Sequence, residues 1–189
     1  STYRNAKMAL RELGDDRIYL IDSENVSGGI SLLLLQAARI LKEAGNAGEA
    51  VAGIRKAASR IQAVFLPDTL EYLRAGGRVS NAAYLGASLL SVKPLIRIED
   101  GALKASKKYR GRMEKVAFEV LDDYFRECRP QKEEMILFYV EGFSLELLER
   151  LKQETLRRGV RRVLTFPIGC VISCHGGPGA FGIAGIREE

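Results

Sequence analysis

The sequence predicts an α/β chain, with a partial parallel-sheet N-terminal domain over residues 1–66 and an α+β C-terminal domain over residues 67–189. The second domain is expected to hold a mixed or antiparallel sheet. Three observations lead there. Helix-period and strand-period segments alternate up to Leu66, a hairpin signal follows Pro67, and helices and strands then alternate to a glycine-rich segment near the C-terminus.

Residues 2–13 place Ala6, Ala9, Leu10 and Leu13 at helical spacing, and Gly14 ends the stripe. Ile18, Tyr19, Leu20 and Ile21 read as a short buried strand that ends in Asp22 and Ser23. Residues 28–44 predict a strongly apolar helix closed by Gly45. Residues 46–61 predict another, and Ala63, Val64, Phe65 and Leu66 a second strand. This αβααβ order implies a parallel sheet with helical cover. So few parallel strands would leave edges and faces bare, and the chain opens inside a helix, so a portion ahead of Ser1 is expected.

Beyond Pro67, Asp68 is the expected cap of a helix that runs to Ala75 and stops at Gly76-Gly77. Ser80 or Asn81 would cap a helix over residues 82–90. Residues 93–98 and 103–106 read as a hairpin about Asp100-Gly101, a strong two-residue turn signal. A helix over 112–126 would turn Val116, Val120, Leu121 and Tyr124 inward. A strand at 135–140, a capped helix at 144–158, and strands at 160–166 and 180–186 complete the reading.

Composition bounds the function. The 189 residues are 47% hydrophobic, enough for a sizeable core. No apolar run approaches the roughly 20 residues of a membrane span, and the first residues lack the apolar core of a signal peptide. Three cysteines cannot all pair, so a reduced, cytoplasmic setting is expected. The net charge of +5 comes from basic residues interleaved with acids, which reads as a solvated surface and not as a nucleic-acid footprint. A nucleic-acid-binding regulator would rest on the basic pI alone and lacks an aromatic–basic platform. No phosphate-binding G-x-x-x-x-G-K-[ST] loop occurs.

The chemistry concentrates at His175, the sole histidine, inside Gly169-Cys170-Val171-Ile172-Ser173-Cys174-His175-Gly176-Gly177-Pro178-Gly179-Ala180. An imidazole can donate to an anion or accept a proton near neutrality, and the glycines let backbone approach a ligand. A lone histidine is otherwise a structural residue. Arg78 follows two glycines, where a guanidinium could grip a carboxylate or phosphate, or else bond loop carbonyls. Arg110 and Arg112 flank Gly111 before a helix; a surface salt bridge is the preferred reading of Arg112. Cys170-x3-Cys174-His175 lacks a fourth ligand, and no metal is expected.

Four segments in register resemble the DegV family of bacterial fatty-acid-binding proteins. They are Leu70-Glu71-Tyr72-Leu73-Arg74-Ala75-Gly76-Gly77-Arg78-Val79-Ser80, Leu89-Leu90-Ser91-Val92-Lys93-Pro94-Leu95, Lys108-Tyr109-Arg110-Gly111-Arg112 and His175-Gly176-Gly177-Pro178-Gly179-Ala180. Ile21-Asp22-Ser23 followed by Gly28-Gly29 agrees as well. The resemblance covers essentially the whole chain. It implies a lipid carrier, not an enzyme. Such a carrier sequesters a long-chain fatty acid and presents its carboxylate to a separate, dihydroxyacetone-kinase-like fatty acid kinase for phospholipid synthesis. Family members begin with a strand and a threonine–serine loop, which supports the expected missing portion. Ser1 stands where the family has its ligand-binding serine or the adjacent glycine. The resemblance implies Ser1, Arg78, Arg110 and His175 as ligand-binding residues, with the arginines near the head group or on the surface meeting the kinase. No cofactor beyond the bound fatty acid and no nucleic-acid partner is expected, and transient membrane contact is left open.

A fatty-acid carrier needs an apolar tunnel with polar donors at one end. Burying roughly 14 methylenes contributes about 11 kcal/mol gross, which association costs then reduce. Leu85, Leu89, Leu90, Leu95, Ile96 and Phe181 are the candidate lining. The alternative is a small-molecule enzyme with His175 as general base and arginines gripping an anionic substrate. It needs a group orienting the imidazole, and none stands adjacent in sequence.

Overall fold

The computed structural model describes residues 2–78 and 92–189. Thirteen elements follow in order among them: α1 (Thr2–Leu13), α2 (Gly28–Glu43), α3 (Ala47–Ala58), β1 (Ile61–Leu66), α4 (Glu71–Ala75), β2 (Val92–Glu99), β3 (Ala102–Arg110), α5 (Met113–Cys128), β4 (Glu134–Tyr139), α6 (Leu145–Arg157), β5 (Arg162–Pro167), α7 (Cys170–Gly176) and β6 (Phe181–Ile186). The six strands form one sheet in the order β3-β2-β1-β6-β4-β5.

The α/β class and mixed sheet are as expected, but the parallel ladder lies elsewhere. β1 runs antiparallel to β2 and to β6, and the parallel pair is β4 with β5. The strand expected at residues 17–23 has no ladder among the described residues; residues 18–26 carry no regular structure. Apolar content alone makes a buried segment, whereas a strand also needs a neighbour to take its N–H and C=O groups. β1, the last element before residue 67, lies inside the sheet between β2 and β6.

Local signals set several boundaries. The Asn46 side chain caps α3 by accepting the Glu49 N–H at 3.0 Å, and Ser144 caps α6 by accepting the Leu147 N–H at 3.1 Å. Asp100 (φ 53°) and Gly101 (φ 70°) make the two-residue turn between β2 and β3. Asp68 does not cap α4. Its carboxylate is ion-paired with Lys93, and α4 starts later, with the Thr69 hydroxyl accepting the Glu71 N–H at 3.3 Å. The helix expected at 82–90 lies outside the described residues.

Period-2 alternation sends side chains to two sides of the sheet. Met135, Leu137 and Ile183 pack with Val116, Val120, Leu121, Leu147 and Leu151 under α5 and α6. Ile136, Phe138, Ala184 and Ile186 pack with Leu32, Leu33 and Ile54 under α2 and α3. On the α5–α6 side the buried polar groups are bonded. Tyr124 Oη donates to the Gln62 carbonyl at 2.7 Å, and Thr155 Oγ1 to the Leu151 carbonyl at 2.8 Å. Asp123 accepts from Tyr109 Oη at 2.6 Å and pairs with Lys107 and Arg126. Buried Glu134 pairs with Arg39 at 3.0 Å and Arg162 at 2.7 Å, tying α2 to β4 and β5.

Candidate functional site

The turn after α4 and the short helix α7 are built to meet. α4 closes in a Schellman motif: the Arg78 N–H donates to the Leu73 carbonyl at 2.9 Å and the Gly77 N–H to the Arg74 carbonyl at 3.0 Å. Gly77 sits at φ +63°, the left-handed conformation this motif requires. Gly76 has another reason to be glycine. A Cβ there would fall 2.2 Å from His175 Nδ1 and 2.8 Å from its Cε1, so the imidazole occupies the space that any other residue would fill. On the return side Gly177, at φ +76°, presses against the Tyr72 ring, which a Cβ would meet at 2.5 Å. The Gly-Gly and His-Gly-Gly segments, about a hundred residues apart, thus form one interlocked corner.

Beside this corner lies a cavity of about 350 Å³. Its apolar lining is Phe65, Leu73, Ile98, Leu103, Phe138, Ile168, Ile172, Ala180 and Phe181. Its polar and backbone-bearing lining is Ser27, Gly77, Arg78, Gly101, His175 and Gly176, with Val26 beside Ser27. The volume and the few convergent polar groups on an apolar wall are those of a small-molecule pocket.

Two of those polar groups stand out. His175 Nδ1 and Ser27 Oγ are buried with no hydrogen-bond partner among the described residues. Ser27 precedes α2 in a left-handed conformation (φ 50°, ψ −123°) and gives no side-chain cap to that helix. Ser27 borders the cavity, and its hydroxyl is not spent on the helix end. Asn25 Oδ1, next in the same segment, is also buried and unbonded. Orphaned buried polar atoms and non-glycine left-handed residues cluster at ligand sites.

The expected site residues divide. His175 and Arg78 line one cavity. Arg78 also bonds its own loop, its guanidinium donating to the Gly76 carbonyl at 3.2 Å. Arg110 does not line the cavity; it ends the edge strand β3, exposed to solvent. Ser1 lies outside the described residues, as do Leu85, Leu89 and Leu90. Of the described candidates for the lining, Phe181 borders the cavity. Leu95 packs with the α5–α6 core instead, and Ile96 with Leu70 and Leu73. Ser27 was not anticipated. The one signal in the sequence was a hydroxyl residue directly before Gly28-Gly29 at a helix start, which reads as an ordinary cap.

Among the described residues no carboxylate or hydroxyl is bonded to His175 Nδ1, so the general-base reading finds no support there. Among the described residues no three metal-ligating side chains gather, and no helix is long and apolar enough to cross a membrane.

Residues 1–188 match the sequence profile of the DegV family, described as uncharacterised proteins. A DegV domain-containing protein of Caldanaerobacter subterraneus is 32% identical over 96% of the chain, and a fatty acid-binding protein of Thermotoga maritima is 31% identical over 96%. The chain spans 65% and 63% of the length of these two curated relatives. Among solved structures, the fold matches a fatty-acid-binding DegV family protein from Thermus thermophilus. There the TM-score is 0.83 at 26% identity, over 99% of this chain and 66% of that one. The fold likewise matches the Streptococcus pneumoniae fatty acid kinase B3 protein loaded with linoleic acid (TM-score 0.83, 17% identity, 97% of this chain and 64% of that one). The motifs, the fold and the profile agree, and the chain belongs to the DegV family.

Proposed function

We propose that the protein binds a long-chain fatty acid, with the tail in the cavity between the sheet, α4 and α7 and the carboxylate at the His175–Ser27 end. The observation that supports this most is the pairing of an apolar wall with two buried, unbonded polar atoms, His175 Nδ1 and Ser27 Oγ. A carboxylate supplies the acceptors that an imidazole N–H and a hydroxyl lack. A buried polar atom left unbonded costs about 1–3 kcal/mol, so ligand binding recovers that cost while it buries the chain. The fatty-acid-binding relatives named above support the same ligand class. Ser1 is proposed as a further head-group donor on the strength of the family motif.

In this reading the protein is a carrier and needs no cofactor. The carboxylate end of the cavity is offered to a separate fatty acid kinase, with Arg78 at the cavity wall and Arg110 on the solvent-exposed edge as the residues that meet it. Mass spectrometry of purified protein after denaturation tests the ligand class. One fatty acid released per chain is the expected result. Protein that carries no lipid and takes up none when offered palmitate or oleate would overturn it.

A further inference from the structure

α7 is a wall with two working faces. Ile172, His175 and Gly176 face the cavity, while Cys170, Ser173 and Cys174 face a separate groove of about 960 Å³ bordered by Tyr139, Phe143 and Pro167. Both sets repeat at the i, i+3, i+4 spacing of one helical face. Cys170 and Cys174 are free and exposed, one turn apart, in that groove. The third cysteine, Cys128, is free but buried, and burial pushes its thiol up. The exposed pair is therefore accessible to a soluble oxidant and the third thiol is sheltered.

We propose that Cys170 and Cys174 form a redox-responsive dithiol whose oxidation to an internal disulfide reshapes α7 and unseats His175. The geometry argues for coupling between the two faces. Side chains one turn apart on a helix have Cβ atoms about 5–6 Å apart, whereas a disulfide needs about 3.5–4.5 Å. Closing the bond must tighten or unwind this turn by roughly 1–2 Å. His175 follows Cys174 directly, and its ring fills the place a Cβ on Gly76 would take. A shift of that size on the groove face carries the adjoining imidazole with it.

The oxidant is a low-molecular-weight disulfide. The thiolate of one cysteine attacks it, forming a mixed disulfide and releasing one thiolate. The second cysteine, losing its proton to solvent, then attacks the protein-bound sulfur and releases the other. The two protein thiols are oxidised, the small disulfide is reduced to two thiols, and no other reactant is needed. Run on delipidated protein, the test stands apart from the ligand reading, because neither the bridge nor the His175 signal then involves lipid.

The test treats the reduced protein with excess oxidised glutathione and follows intact mass, peptide mapping and the imidazole proton signals. His175 is the sole histidine, so those signals belong to one ring. The expected result is loss of two hydrogens, a bridge mapped to Cys170 and Cys174, Cys128 still reduced, and a displaced His175 signal restored by dithiothreitol. Cys170→Ser and Cys174→Ser should each hold one glutathione adduct and keep the His175 signal in place. Two glutathione adducts without an internal bridge, a bridge that includes Cys128, or an internal bridge with an unmoved His175 signal would each overturn the proposal.

Discussion

On the α5–α6 side of the sheet, Tyr124, Thr155 and Asp123 each end in a hydrogen bond, whereas on the cavity side Ser27 Oγ and His175 Nδ1 are buried with none among the described residues. The first side is filled by leucine, valine and aromatic side chains. On the second, glycines at 76 and 177 admit close packing of a histidine and a tyrosine beside an open volume. One side is finished without a ligand and the other is not. Stability should therefore be read from one and binding from the other, and substitutions can test that division.

The largest effect should come from the filled side. Leu151 is fully buried between α6 and the sheet, and Leu151→Ala should lower unfolding free energy by about 2–5 kcal/mol. Denaturant titration measures this, while fatty-acid affinity per folded molecule should stay unchanged. A loss of affinity comparable to the loss of stability would break the division.

His175→Ala should do the opposite. Losing one hydrogen bond to a charged head group removes about 1.5–3 kcal/mol of binding, a ten- to hundredfold weaker affinity, with the melting temperature preserved. Unchanged affinity beside a large fall in melting temperature would return the ring to the scaffold.

Asp123 sharpens the scaffold side through pH. Burial opposes its charge, but donation from Lys107 and Tyr109 outweighs that and holds the carboxyl below its ordinary value of 3.8. A folded-state value below the unfolded one gives stability that is complete above about pH 4 and lost as pH falls through the folded value. Asp123→Asn should cost about 1–3 kcal/mol at neutral pH and flatten the acid limb of the stability profile. An identical acid limb in the variant would remove Asp123 from the account.

The smallest effect belongs to Ser27→Ala. Removing an unbonded hydroxyl should leave ligand-free stability unchanged or slightly raised, because no bond is lost. Fatty-acid binding should weaken by about 0.5–1.5 kcal/mol, roughly two- to tenfold. A fall in ligand-free stability would show that Ser27 is part of the framework.

The sequence made α3 and α6 legible because their caps are local. Asn46 and Ser144 act through residues three positions away, and Asp100-Gly101 makes its turn by itself. Residues 17–23 misled because their apolar run specifies burial, while strand pairing depends on chain distant in sequence. Asp68 misled for a similar reason, since Lys93 claims its carboxylate. At the site, His175 and Arg78 were visible through glycine context. Ser27 was not, because its left-handed backbone and missing cap bond exist in the fold alone.

The imidazole signal of His175, followed while the protein is titrated with a long-chain fatty acid and then with its methyl ester, tests the central claim most directly. The acid should shift the signal at one equivalent, and the ester, which lacks the carboxylate charge, should bind about tenfold or more weakly. Equal binding of acid and ester with an unmoved His175 signal would contradict the placement of the head group.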